Sequence, residues 1–345
     1  MTAVTLHYLG PEGTFTHQAA ITACEALRPL VAPASTFELV PEPDVPAIMN
    51  AIRSGQAAPT RGDTAARDDA DAAVYGVIAW ENNVEGYVVP NLDALIDERD
   101  VAGFARVGVD VAFDAFVRPG TDVSQVREVS AHPHGLAQCR RFIAEHGLKA
   151  VPASSNAAAC RDLEHGAMAF GPAICGRLYW LDTVAAGVQD YQGARTEFLV
   201  LGPRDDATCM LATARGRGVT EFESIIAFIP LVTGPGVLAN VLDVMRDAGL
   251  NMTSFMSRPI KGHDGTYSFI DTLDAAPWEP RFRGVLETLA THGIWLKTLA
   301  VYPRRERPNP PVDAWMLPQG GVHLNTGTMP DDWRDDDAVR RELLW

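Results

Sequence analysis

The sequence predicts an α/β chain of two unlike parts, and three observations carry that expectation. Through residue 203, short strands alternate with polar turns and helices, the rhythm of a mainly parallel sheet with helices on its faces. Residues 222–303 then read strand, helix, strand, strand, helix, strand, the order of a ferredoxin-like βαββαβ unit. Between the two, residues 204–221 are polar, contain Arg215-Gly216-Arg217-Gly218 and read as a linker. A length of 345 residues suits two or three domains at roughly 100–200 residues each.

Taken in order, residues 4–9 alternate as a strand does. Gly10-Pro11-Glu12-Gly13 stops it, and Thr14 or Thr16 can cap a helix through Leu27. A glycine turn leading into a helix N-terminus offers free N–H groups and a favourable dipole to an anion. Its glycine spacing is not that of a dinucleotide fingerprint. A strand over Thr36–Val40 and a helix over Val45–Arg53 follow, then a polar, aperiodic stretch to residue 72 that reads as a surface insertion. Ala73–Ile78 reads as a buried strand. Glu81-Asn82-Asn83-Val84-Glu85-Gly86 comes just after it, at the carboxyl edge where open α/β sheets bind ligands. Residues 104–117 and 128–131 read as strands, and His132-Pro133-His134 starts a helix with proline in its first turn. Those two histidines lack a nearby third ligand, so no metal is expected there. Ser154-Ser155-Asn156 opens another helix, and residues 167–178 give a strand and a helix.

The stretch Gly193–Gly202 is a short buried strand with Arg195, Thr196 and Glu197 at its mouth. Unpaired charge is costly to bury, so these residues are either solvated at the strand end or part of a site. In the second part, Thr233-Gly234-Pro235-Gly236-Val237-Leu238 turns into a helix that Gly249 ends. Residues 304–345 are proline-rich, then acidic, and read as a tail that Trp315, Trp333 and Trp345 could dock.

A net charge of −15 argues against nucleic-acid binding, which needs a basic face. No apolar run reaches the ~18 residues of a membrane span, and the N-terminus lacks a signal-peptide pattern. Five dispersed cysteines without metal spacing read as reduced thiols, so a cytoplasmic protein is expected.

Tyr8-Leu9-Gly10-Pro11-Glu12-Gly13-Thr14-Phe15, Glu81–Gly86, His132-Pro133-His134 through Arg141, and Thr196-Glu197-Phe198 together resemble the prephenate dehydratase family in order and spacing. The second part resembles the ACT regulatory domain that follows that catalytic domain, through Gly236-Val237-Leu238-Ala239 and Met256-Ser257-Arg258-Pro259. The likeness spans residues 5–303. It implies a two-lobed, periplasmic-binding-protein-like catalytic domain over 1–203, a linker over 204–221, an ACT domain over 222–303 and a tail over 304–345. It also implies conversion of prephenate to phenylpyruvate with loss of CO2 and water, no metal or organic cofactor, feedback by L-phenylalanine, and a homodimer or homotetramer formed through the ACT domain.

By the same likeness Thr196 is the catalytic hydroxyl. Gly13, Thr14, Glu81, Asn82, Asn83, Ser155, Arg195 and Phe198 are expected to bind substrate. Gly236, Val237, Leu238, Asn251, Ser257 and Arg258 are expected to bind phenylalanine. Hydroxide leaves poorly, and a threonine hydroxyl suits a positioned donor or relay better than a full acid. Glu197 departs from the family, which has arginine there. Either Arg195 reaches the site through a bulge, or another arginine substitutes while Glu197 faces away, or the chemistry differs, with a protonated Glu197 as one donor. A non-aromatising prephenate decarboxylase and an inactive amino-acid sensor are the competing readings.

Overall fold

The computed structural model describes residues 3–55, 73–304, 311–324 and 332–344. It divides into two units, Met1–Arg305 and Glu306–Trp345. Residues 56–72, the bulk of the expected surface insertion, lie outside the described residues.

In β1 (Ala3–Leu9) the alternating Val4, Leu6 and Tyr8 are fully buried on one face. Thr14 caps α1 (Phe15–Leu27), its Oγ1 accepting the His17 N–H at 3.2 Å. β2 (Thr36–Glu42), α2 (Val45–Gly55) and β3 (Ala73–Asn82) follow, and β1 runs parallel to both strands. The short β4 (Gly86–Tyr87) folds back on β3, and α3 (Val89–Asp97) leads into β5 (Val101–Asp110). β3 runs to residue 82, so Glu81 and Asn82 sit on the strand rather than in the loop after it.

The chain then crosses into a second lobe. Its elements are β6 (Asp114–Val117), β7 (Glu128–Ala131), α4 (Pro133–Gln138), α5 (Arg140–Glu145), β8 (Lys149–Pro152), α6 (Asn156–Arg161), β9 (Met168–Gly171), α7 (Ile174–Leu178) and β10 (Asp182–Ala185). They form a five-stranded sheet in the order β10-β6-β9-β7-β8. The helix expected after His132 is broken in two at Cys139. The chain returns as β11 (Arg195–Pro203), which lies between β5 and β3 and runs antiparallel to both.

Residues 204–221 are not an irregular linker. α8 (Arg204–Gly216) buries Ala207, Leu211 and Ala214 in the same core as α1 and β5. These are positions i, i+4 and i+7, one helical face. The stripe is narrow and two of its three residues are alanine, so a polar composition concealed it.

β12 (Phe222–Ile229), α9 (Val237–Asp247), β13 (Met252–Pro259), β14 (Tyr267–Leu273), α10 (Pro280–Thr291) and β15 (Trp295–Pro303) form the ferredoxin-like unit. Its strands are ordered β13-β14-β12-β15. Ile226, Phe228, Val241, Met245, Phe282 and Leu289 pack between sheet and helices. The opposite face, with Ile225, Ala227, Ile270 and Leu299, packs against Trp80, Leu92 and Leu95 of the first lobe. One parallel pair, Ala300 with Gly103, joins β15 to β5, so a single ten-stranded sheet spans both parts. A Cβ on Gly103 would stand 2.7 Å from the Ala300 Cβ, which makes glycine the residue that permits this approach.

Within the second unit, Ala314–Met316 and Trp333–Asp335 are single 3₁₀ turns. Asp336 caps α11 (Asp337–Leu343), and Glu342 accepts the Gly321 N–H at 2.8 Å. Trp345 lies outside the described residues.

Candidate active site

Strand directions bring two sheet edges together. β3 and β5 both run antiparallel to β11, so Leu9, Asn82 and Asp110 end where Thr196 begins. In the second lobe β7, β8 and β9 are parallel and end at His132, Ala153 and Pro172. β6 starts and β10 finishes at that same edge. The crossings at residues 111–113 and 186–194 therefore join the carboxyl edge of one sheet to that of the other, the position at which open α/β sheets bind ligands. Three hydrogen bonds tie the crossings together. The Val111 N–H donates to the Ala194 carbonyl at 2.7 Å, that of Val188 to the Phe113 carbonyl at 2.8 Å, and that of Phe113 to Gln189 Oε1 at 2.9 Å.

At the mouth of β11, alternation separates three neighbours. Phe198 and Val200 belong to the core under α1, while Leu199 and Leu201 belong to the core under α2 and α3. Counting back, Thr196 faces the α1 side, and Arg195 and Glu197 face the other. Asn82 is the cross-strand partner of Thr196, and its Nδ2 donates to Thr196 Oγ1 at 2.9 Å. Asn82 Oδ1 accepts the N–H groups of Val84 and Glu85, both at 2.9 Å.

On the other face Glu197 is clasped by two arginines. Arg106 Nε donates to its Oε2 at 2.9 Å and Arg195 Nε to its Oε1 at 2.8 Å. Arg106 also donates to Glu223 of β12 at 3.1 Å, and Arg195 to Asp110 at 3.1 Å. The Arg195 guanidinium lies against Gly108, where a Cβ would come within 2.5 Å of its Cζ and displace it. Burial pushes the Glu197 carboxyl up, but Arg106 and the hydrogen bonds from both arginines outweigh it and hold its pKa below the usual value. Glu197 is thus an ionised structural partner, not a protonated donor. The one register shift beside Glu197 puts its extra residue, Trp80, on β3, while β11 stays in step with β5 from Arg195 to Val200, so Arg195 and Thr196 do not share a face.

Other expected site residues also find different places. Glu81 pairs with Glu197 in register and shares its face. Burial raises its pKa, with Arg106 opposing and Glu197 adding to the rise. Phe198 is 1% exposed and packs into the core under α1. Asn83 is exposed and ties the start of β11: its Nδ2 donates to Gly193 O, and its Oδ1 accepts the Arg195 N–H. The Gly13 N–H, expected to be free for an anion, donates to His17 Nδ1 at 3.0 Å. That bond requires neutral imidazole, and burial lowers the His17 pKa accordingly. Thr14 Oγ1 donates within the turn, to Pro11 O at 3.0 Å, besides capping α1. Ser155 caps α6 at the second-lobe edge, accepting the Ala158 N–H, and among the described residues no acceptor takes its own proton. His132 caps α4 by accepting the His134 N–H, and among the described residues no cluster of three His, Cys, Asp or Glu side chains is arranged to hold a metal.

Sequence reasoning missed the contacts between lobes. Tyr179 donates its hydroxyl to the Glu12 carbonyl at 2.6 Å, and Cys175 Sγ donates to the Gly13 carbonyl at 3.2 Å. It also missed Arg106, whose signal was a lone charge in the apolar run of β5. A cavity of about 480 Å³ opens between α1 and α7 beside Val109, the other cross-strand partner of Thr196. Gln18, Thr22, Asp110 and Arg177 supply its polar lining.

The expected effector residues do not all converge. Gly236, exposed and at φ +83°, starts α9, while Asn251 follows its far end. The eleven residues of α9, a length of about 16 Å, lie between them in the chain. Ser257 is exposed, but Arg258 lies on the opposite side of β13 and donates to both carboxylate oxygens of Asp93 at 3.3 and 3.2 Å. Leu238 packs partly into the core between helices and sheet.

Two α/β lobes hinged by paired crossings, with a donor-held threonine at one facing edge, define a periplasmic-binding-protein-like catalytic fold. The family model for prephenate dehydratase matches residues 6–206, and the chain belongs to that family. A prephenate dehydratase from Mycolicibacterium gilvum is 31% identical over 322 residues, covering 90% of this chain and 96% of that protein. Among solved structures, a prephenate dehydratase from Arthrobacter aurescens in complex with L-Phe has 24% identity and a TM-score of 0.68, covering 90% of this chain and 92% of that one. GqqA, described as a quorum-quenching acylase, has 21% identity and a TM-score of 0.66, covering 88% and 98%. At such identities the structural likeness speaks for the fold alone.

Proposed function

We propose that this protein catalyses the decarboxylating dehydration of prephenate to phenylpyruvate, with Thr196 assisting departure of the ring hydroxyl. The observation that carries this reading is Thr196 at the meeting of the two sheet edges, its oxygen accepting from Asn82 and its proton uncommitted among the described residues. As the ring carboxylate leaves as CO2, the released electron pair completes the aromatic ring and expels the 4-hydroxyl. Hydroxide gains stability from any donor already aimed at it, because such a donor needs no reorganisation. The cavity beside Val109 has the volume expected of a small-molecule site, and Arg177 gives it a cation for a carboxylate. The departure at Glu197 motivated the decarboxylase reading. It is accounted for by Arg106 and Arg195, on the face away from Thr196.

The same reading makes the ferredoxin-like unit an ACT domain that senses L-phenylalanine, as the Arthrobacter complex suggests by likeness. Gly236 and Asn251 flank opposite ends of α9, which supports a site shared by two copies. A dimer or tetramer in the cytoplasm follows from this reading. No helix among the described residues is long and apolar enough to cross a membrane.

Incubation of the purified protein with prephenate, with phenylpyruvate, CO2 and product mass followed together, tests the chemistry. Thr196→Ala is expected to lower kcat by roughly 10²–10³-fold. Release of CO2 with the hydroxyl retained refutes the dehydratase, and absence of turnover in the wild type favours a sensor.

A further inference from the structure

We infer that Asn82 is a positioning residue that fixes the direction of the Thr196 proton, rather than a group that binds substrate. The inference rests on the proposed role of Thr196. A side-chain amide has one accepting end and one donating end, and its orientation must be read from its partners. Here the partners decide it. Both the Val84 and the Glu85 N–H groups point at one end of the Asn82 side chain, at 2.9 Å each, so that end is the oxygen. The other end is then the NH₂, and it lies 2.9 Å from Thr196 Oγ1. A donor meeting a hydroxyl oxygen occupies one of its lone pairs and forbids its proton from pointing back. Thr196 must therefore send its own O–H elsewhere, and among the described residues no acceptor takes it. The turn after β3 thus holds the amide, the amide holds the threonine oxygen, and the hydroxyl is left as a donor on the α1 side of the sheet. With two N–H groups on Oδ1 and Thr196 on Nδ2, Asn82 keeps one N–H for other use.

The decisive variant is Asn82→Asp. One carboxylate oxygen still accepts from Val84 and Glu85, so the turn survives. The other oxygen can only accept while ionised, and it pulls the Thr196 proton toward itself and away from the substrate. At pH 8 kcat is expected to fall roughly 100-fold with KM within about twofold. As pH falls and the new carboxyl takes a proton, it can donate to Thr196 as the amide does, so kcat should recover in acid. A merely structural role produces no such acid limb. A loss confined to KM, or one equal at every pH, overturns the inference. Should Asn82→Asp fail to fold, the cycle of Asn82→Ala, Thr196→Ala and the double variant replaces it. Asn82→Ala should cost at least tenfold in kcat alone and nothing further in the Thr196→Ala background. Independent, multiplying losses overturn the inference. If Thr196→Ala itself keeps full turnover, the reading of Thr196 fails first, and the two failures are told apart.

Discussion

Restoring the family arginine by Glu197→Arg should destabilise this protein, and the cost follows from the two ion pairs that residue 197 makes. The pair with Arg195 is 42% exposed on the arginine side, and a screened surface pair contributes about 0–1 kcal/mol. The pair with Arg106 is better buried, at 28% and 14% exposure. Removing one partner of a buried pair costs roughly 3–5 kcal/mol, and the retained Glu223 keeps Arg106 at the lower end of that range. A third guanidinium adds repulsion that a long side chain partly escapes, so the total is about 3–5 kcal/mol. Glu197→Gln removes the charge without adding another and should cost less, about 1.5–3 kcal/mol. Urea denaturation of wild type and both variants across pH gives the measurement. The folded pKa of Glu197 is lowered, so its contribution is present above the unfolded carboxylate pKa and is lost as pH falls through the folded value. The gap between wild type and Glu197→Gln should accordingly close in acid. A Glu197→Arg protein as stable as wild type, or one with raised turnover, would refute the placement of residue 197 away from Thr196.

Asp271 is fully buried in the ferredoxin-like unit, among the described residues neither of its carboxylate oxygens is hydrogen-bonded, and burial pushes its pKa up from 3.8 to about 7. A raised folded pKa means stability is greatest below the unfolded value and declines as pH rises to about 7, by roughly 4 kcal/mol. Asp271→Asn should flatten that decline in urea titrations between pH 5 and 8, and an unchanged slope counts against it. Gly236→Ala places a Cβ at φ +83°, a strain of about 1 kcal/mol; if the turn relieves it by moving out of the conformation that the proposed effector site needs, the phenylalanine concentration for half-inhibition should rise by up to roughly fivefold. Unaltered inhibition would put the effector elsewhere.

Legibility in the sequence depended on whether an element's signal was local. The alternation in β1, the proline opening α4 and the βαββαβ order are local, and each corresponds to an observed element. α8 was not legible because its buried stripe is mostly alanine, and a stripe without bulk weighs little in composition. Thr196 and Asn82 were both named from sequence, yet their hydrogen bond joins residues 114 apart, and only register aligns them. Phe198, Arg195 and Glu81 were assigned to substrate by the family likeness, whose motifs carry them beside Thr196 and Asn82 in the chain. A strand sends neighbours to opposite faces, so adjacency in sequence argued against shared function for two of them.

Arg106 explains why that alternation has consequences beyond the site. It carries one charge and meets two carboxylates, Glu197 beside Thr196 and Glu223 on the first strand of the ferredoxin-like unit. Its guanidinium also sits 5.6 Å from the centre of the Tyr302 ring on β15. Few other arrangements would let a half-buried glutamate replace an arginine here, because the replacement inverts the charge and needs a cation already in reach. The far face of β11 is therefore committed to holding the two parts of the chain together. The near face, where Asn82 meets Thr196, takes no part in that ion-pair network, and on the proposed function it is the face that carries the chemistry.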